Sequence, residues 1–231
     1  MFYFVLILVI ALSGSFFVQK IPSWLSKHWH AECTDYLNQP IIYKNNSLFK
    51  RAIPAVLFVI LSIAILLRFH YSFSLSIAAL LFTWILLIAS FIDGDYKILP
   101  DQLTLTLLWI GLLVNCFSLF TTLTSAIFGA VTGYLLLFIT FHLYKLITKK
   151  EGLGYGDFKL LAAIGAWLGL VAIPITLLLA SVLACIVIGG KMLLSKTSLQ
   201  EQFPFGPFLA FAGWFVLVGK PFLLHFFPLL V

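Results

Sequence analysis

The chain has 231 residues, of which 62% are hydrophobic and 10% charged, with 24 phenylalanines and a mean hydropathy of +1.12. A soluble core of that size needs a polar shell that this composition cannot supply, so the bilayer must act as solvent for most of the surface. The formal charge of +6 does not signal nucleic-acid binding, because the basic residues lie in short segments between apolar runs and form no basic face interleaved with aromatics.

A spanning helix takes about 20 apolar residues. The first run, residues 2–18, lacks a basic leader segment and a small-residue cleavage site, and so reads as a retained first span. Residues 19–51 form a polar loop with room for a small amphipathic element on the membrane surface. Spans then follow at 52–69, 73–92, 103–120 and 122–144. From Leu160 to Gly190 the apolar run is nearly unbroken. As one helix it would extend about 46 Å against a hydrocarbon core of about 30 Å. Gly169 and Pro174 offer a turn that divides it into spans 158–173 and 174–190, and the last span is 205–228. The pattern predicts an all-α polytopic membrane bundle of eight transmembrane helices, a single membrane-embedded domain over residues 1–231.

Lys and Arg set the orientation. Twelve of the 14, namely Lys20, Lys27, Lys44, Lys50, Arg51, Lys97, Lys145, Lys149, Lys150, Lys159, Lys191 and Lys196, fall on one side of these spans; Arg68 and Lys220 fall on the other. The first side is read as cytoplasmic, which puts both termini outside the cytoplasm. All eight acidic residues lie in the same cytoplasmic segments. Cys33, Cys116 and Cys185 are far apart, and the last two sit in apolar runs, so no disulfide framework or CxxC site is read.

Two aspartates stand at ends of apolar helices beside turns. Asp93 closes the third span in SFIDGDYKILPD, and Asp157 opens the sixth in GLGYGDFKLL. An ionised, unpaired carboxylate at that depth costs several kcal/mol, so such acids face a bundle interior or a water-filled cavity and mark function. Two of them can share one proton, one acting as general base toward water and the other as acid toward a carbonyl oxygen. Peptide hydrolysis by such a pair needs no metal or cofactor. Gly154 and Gly156 can adopt positive φ and lack Cβ atoms, which lets backbone or an extended peptide approach Asp157.

These segments carry a resemblance. GLGYGDFKLLAAIGAWLG resembles the GxGD segment of the type IV prepilin peptidase family, and FIDGDYKILPDQLTLTLLWIGLL resembles the segment around that family's first catalytic aspartate, an acid followed seven residues later by Pro-Asp. The separation, 157 − 93 = 64 residues, is close to that family's. GSFFVQKIP at Gly14 to Pro22 and PFGPFLAFAGW at Pro204 to Trp214 extend the resemblance from the first span to the last. It implies an aspartic endopeptidase with Asp93 and Asp157 as catalytic pair, in a multi-pass protein of the bacterial cytoplasmic membrane. Its partners would be prepilin or pseudopilin precursors and membrane lipid, with no nucleic acid. The short basic leader would stay cytoplasmic and be cut off just after a glycine at the membrane face.

Longer members also methylate the new N-terminus with S-adenosyl-L-methionine and carry two CxxC pairs in the first cytoplasmic loop. Here Cys33 alone stands in that loop, and GSFFVQKIP lacks the Asn that follows GSF in the fuller form. The resemblance therefore implies cleavage and leaves methylation, with its S-adenosyl-L-methionine, open. His28, His30 and Cys33 make an H-x-H-x-x-C spacing, but three ligands without a fourth are a weak site, and no metal is assigned.

The remaining acids and bases have plainer readings. Asp157 could cap its helix, Asp95 reads as a solvated or supporting neighbour of Asp93, and Asp101 after Pro100 reads as the N-cap of the next helix. Lys97, Lys149, Lys150 and Lys159 read as positive-inside anchors, with substrate orientation an alternative for Lys159. His70, His142 and His225 read as interfacial. A proton- or cation-coupled transporter would use the same acids along a midplane path, and an inactive scaffold of a pilus or secretion assembly would use neither.

Overall fold

The structure, a computed structural model, describes residues 48–149, 154–195 and 203–226. The first predicted span and most of the loop 19–51, with His28, His30 and Cys33, lie outside the described residues. Seven helices make up the described chain: α1 Leu48–Phe69, α2 Phe73–Tyr96, α3 Asp101–Cys116, α4 Leu123–Thr148, α5 Tyr155–Leu168, α6 Ala172–Ser195 and α7 Gly206–Phe226. The chain divides into two compact units, with the boundary between His70 and Tyr71. α1 is the described helix of the first unit, and α2 to α7 form a helical bundle in the second.

Among the described residues three helices, Phe73–Tyr96, Leu123–Thr148 and Ala172–Leu193, are long and apolar enough to cross a membrane. Leu113, Leu146, Ile147, Leu193 and Trp109 lie exposed, as side chains bathed by lipid do. Two buried hydroxyls of α2 turn back onto the local backbone. Thr83 Oγ1 donates to the Ala79 carbonyl at 2.7 Å and Ser76 Oγ to the Ser72 carbonyl at 2.9 Å.

α5 is the shortest of the described helices and the centre of the packing. Its 14 residues at 1.5 Å each extend about 21 Å, short of the roughly 30 Å of hydrocarbon. From Asp157 to Leu168 every side chain except Lys159 is buried. It packs most heavily on α4 and then on α3. The approach to α4 is through glycines. A Cβ on Gly129 would stand 2.6 Å from the Gly165 carbonyl oxygen, and one on Gly133 would stand 2.8 Å from that of Leu161. Gly129 and Gly133 form a GxxxG pair, as do Gly165 and Gly169, the signature of closely approaching membrane helices.

The sequence reading extended this span to residue 173, but the helix ends at Leu168. Gly169 has φ +87°, which an L-residue avoids, and its N–H returns to the Gly165 carbonyl at 2.8 Å. Pro174 lies in the first turn of α6 and is no part of the break.

A helix end among apolar neighbours must have its carbonyls satisfied by protein, and buried Asn115 does this. Its Nδ2 donates to the carbonyls of Ala166 and Trp167 at 2.8 and 2.9 Å. Its Oδ1 accepts from the backbone N–H groups of Phe120 and Thr121 at 3.1 and 3.2 Å. Trp167 Nε1 donates to the Leu107 carbonyl at 2.8 Å, and the ring lies where a Cβ on Gly111 would be. Asn115→Ala orphans two carbonyls and two N–H groups at once, at about 1–3 kcal/mol for each that water cannot reach. We expect its apparent Tm in detergent to fall by at least about 8 °C; a Tm within about 2 °C of the parent would overturn this account of the α5 terminus.

Candidate active site

Four chain segments converge at one end of the bundle: the last turn of α2, the link to α3, and the first turns of α5 and α7. Asp93 stands in the last turn of α2, which runs on to Tyr96 instead of stopping at residue 92. Lys97, in the left-handed region at φ 57°, closes that turn by donating its N–H to the Asp93 carbonyl at 2.8 Å. The Asp93 side chain leaves its own helix and meets the start of α7, where Gly206 N–H donates to Asp93 Oδ2 at 3.0 Å.

Asp157 is the third residue of α5. Its N–H donates to the Gly154 carbonyl at 3.2 Å, and Gly154 N–H donates to Asp157 Oδ2 at 3.3 Å. The helix-capping reading of Asp157 is thus realised at one carboxylate oxygen. Both carboxylates are buried, and Asp93 lies near enough for its charge to act on Asp157. They are the buried acids among the described residues.

Leu99 packs between the two sides. It occupies the place of a Cβ on Gly156, and its Cδ1 lies 3.1 Å from where a Cβ on Gly206 would be. The glycines of the turn therefore act by lacking a side chain. Neither Gly154, at φ −80°, nor Gly156 uses positive φ, contrary to the conformational part of the sequence reading. A Cβ on Gly154 would meet Asp157 Oδ2 at an ordinary 3.6 Å, whereas Gly156 has no room. Gly94, next to Asp93, has open space beside it.

Asp101 is the first helical residue of α3, after Pro100 as N-cap, and makes no capping hydrogen bond; the predicted cap is corrected. Its Oδ1 instead accepts from Lys159 Nζ at 2.6 Å, tying α3 to α5 two residues beyond Asp157. Because both side chains are partly exposed, the pair contributes under about 1 kcal/mol to stability. Asp95 is exposed, as its solvated reading requires. His70 and His142 donate to the carbonyls of Leu67 and Phe138 through Nδ1. Cys116 and Cys185 are free and exposed.

Sequence reasoning did not single out Gly206 as part of the site. The Gly-Pro pair in PFGPF was the available signal: a glycine ahead of a helix-starting proline, in a segment already matched to the family.

No group of three or more His, Cys, Asp or Glu side chains among the described residues could hold a metal. The buried polar atoms without a partner there are Thr176 Oγ1 and Trp214 Nε1. One hydroxyl and one indole N–H do not make a cradle for the amino, carboxylate and adenine groups of S-adenosyl-L-methionine, and no methyl-transfer step is derived from these residues.

The fold and this site define a helical membrane protein with a buried aspartate pair at one end of its bundle. Residues 80–189 match the type IV leader peptidase family. The chain is 52% identical over 151 residues to the prepilin leader peptidase/N-methyltransferase of Stutzerimonas stutzeri, covering 64% of this chain and 52% of that protein. The protein of the same name from Aeromonas hydrophila is 52% identical over 143 residues, covering 62% and 49%, and that from Neisseria gonorrhoeae 39% over 156 residues, covering 67% and 53%. The matched segment, which holds both aspartates, is thus similar to the type IV leader peptidase family. It spans about half the length of the curated relatives it matches. No solved structure matches it.

Proposed function

We propose that this protein is an aspartic endopeptidase that removes the leader of type IV prepilins or pseudopilins. The observation that carries the reading is the pairing of two buried carboxylates, Asp93 and Asp157, brought together from helices 64 residues apart in sequence. One carboxylate, ionised, takes a proton from water as that water attacks the scissile carbonyl. The other, protonated, gives its proton to the carbonyl oxygen; collapse of the tetrahedral adduct then releases the leader, with a proton passing to the departing amine. The names of the relatives, prepilin leader peptidase/N-methyltransferase, supply the substrate class.

Position supports the same reading. A transport path asks for acids along the membrane depth, whereas the two buried acids among the described residues sit together at one end of the bundle. Lys97 and Lys149, at the C-caps of α2 and α4, and Lys159, in the first turns of α5, stand at that end too; by the positive-inside rule this end faces the cytoplasm of a bacterial inner membrane. A prepilin's basic leader would end there, with its apolar helix in the bilayer.

The test is the intact mass of a type IV prepilin co-expressed with this chain. Loss of the leader mass is the expected result, and an additional gain of one methyl group would add N-methylation to the assignment. A precursor that stays uncut across several prepilins overturns the reading.

A further inference from the structure

The two aspartate-bearing helices barely touch each other. α2 and α5 meet at the Phe82 and Trp167 rings, 5.0 Å between centroids, and otherwise have little direct contact. Both pack substantially on α7. Against α5, α7 closes in at Gly213, where a Cβ would lie 2.9 Å from Ile164 Cδ1. Against α2, it closes in at Gly206, where a Cβ would lie 2.6 Å from Asp93 Oδ2. The spacing of the two carboxylates is thus set by a third helix that carries neither.

The start of α7 is built to present a single donor. Phe205 is its N-cap, accepting from the N–H groups of Phe208 and Leu209 at 3.1 and 3.2 Å. Pro207 has no N–H. Of the first-turn donors only the Gly206 N–H is left over, and it goes to Asp93 Oδ2 at 3.0 Å. That N–H sits at the positive end of the helix dipole and is the kind of donor that holds a carboxylate in place. Leu99, packed against the Cβ positions of both Gly206 and Gly156, closes the remaining gap between the α7 and α5 first turns.

We propose that Gly206, at the N-terminus of α7, is a positioning residue for hydrolysis: its N–H fixes the Asp93 carboxylate, and its missing side chain lets α7 hold that carboxylate against Asp157. The proposal rests on the peptidase reading for its kinetic consequence and on geometry alone for its placement. It makes the PFGPF segment part of the catalytic apparatus, although no side chain of that segment takes or gives a proton.

Two measurements on the full chain test it. The first is steady-state cleavage of a purified full-length type IV prepilin in detergent, per mole of folded enzyme. Gly206→Ala pushes the carboxylate aside, and a misplacement near 1 Å costs about 100-fold in kcat. KM should stay within about threefold, because the change acts on an acid whose work is done in the transition state. The pH profile of kcat should move by more than about half a unit, because the donor to one of the paired acids is disturbed. Val216→Ala, buried on α7 away from the aspartates, controls for loosened packing and should leave kcat within about threefold and the profile in place.

The second measurement needs no activity: Asp93→Cys combined with Gly206→Cys, in a chain with Cys33, Cys116 and Cys185 changed to Ser, should form a disulfide under mild oxidation. Gly206→Ala with the parent kcat and pH profile overturns the proposal, and so does a cysteine pair that stays reduced. If the parent chain fails to cut the prepilin, the peptidase reading falls by itself while the cross-link still decides where α7 sits.

Discussion

Asp93→Asn and Asp157→Asn should each abolish prepilin processing while leaving the protein inserted and folded. The amide keeps the shape of the carboxylate and an oxygen that can accept the bonds now made, from Gly206 N–H to Asp93 and from Gly154 N–H to Asp157. It cannot take a proton from water or give one to a carbonyl oxygen. General acid–base catalysis contributes about 10² to 10⁴-fold per participating group. A pair that acts as a unit loses most of the effect of both when either is lost, so the double variant should be hardly worse than either single one. We therefore expect cleavage to fall at least about 10³-fold for each variant. Stability should hold or rise slightly, since one ionisable group fewer is kept from water. Intact mass of the co-expressed prepilin reads the first quantity, and thermal unfolding in detergent reads the second. Asp95→Asn serves as the neighbouring control, because Asp95 is exposed, and it should process normally. Full processing by either dyad variant would remove these residues from the chemistry.

Hydropathy located the helices because a bilayer imposes a minimum apolar length, and that length is written in the residues. The predicted spans 52–69, 73–92, 103–120, 122–144, 174–190 and 205–228 each overlie one of the observed helices, with ends displaced by a few residues. Polar terminal turns account for several of those shifts. α2 runs past Asp93 to Tyr96, and α4 runs through Lys145 to Thr148, since a helix need not stop where its apolar stretch does. α5 was legible as a helix but not in its length. Gly169, already offered as a turn, ends it, but the carbonyls this leaves free are satisfied by Asn115, 51 residues before Ala166, and no local pattern shows a cap supplied from another helix. The aspartates could be read for the opposite reason: acids are scarce in this chain, so each one at a helix end asks for an explanation. Gly206 could not be read that way. Its contribution is a backbone N–H and an absent Cβ, and only the packed structure reveals what those meet.

The glycines of this chain divide into two groups with opposite expected responses to a side chain. Gly165→Leu should be the most destabilising single change among them. The Cβ alone would press into the Gly129 backbone, its carbonyl carbon and oxygen, and Ile173 Cδ1 stands only 2.8 Å away. A backbone carbonyl inside a helix cannot swing aside as a flexible side chain can, so α4 and α5 must separate along the face where they pack most heavily. Overpacking a well-filled core costs typically 1–3 kcal/mol, and a clash against backbone belongs above that range, at about 4 kcal/mol or more. Gly189→Ala should act in the other direction. Gly189 lies within α6 with nothing within 4 Å of its Cβ position, so the substitution removes backbone entropy from the unfolded chain without touching a neighbour. It should stabilise by about 0.5–1 kcal/mol. Unfolding in detergent, followed by the fluorescence of the tryptophans that include buried Trp167, should show the first variant melting well below the parent and the second slightly above it. The α5 N-terminus carries Asp157, so separating α4 from α5 in Gly165→Leu should also cost cleavage, whereas Gly189→Ala should process a prepilin at the parent rate. Equal melting of Gly165→Leu and the parent would mean that the two helices do not approach through these glycines.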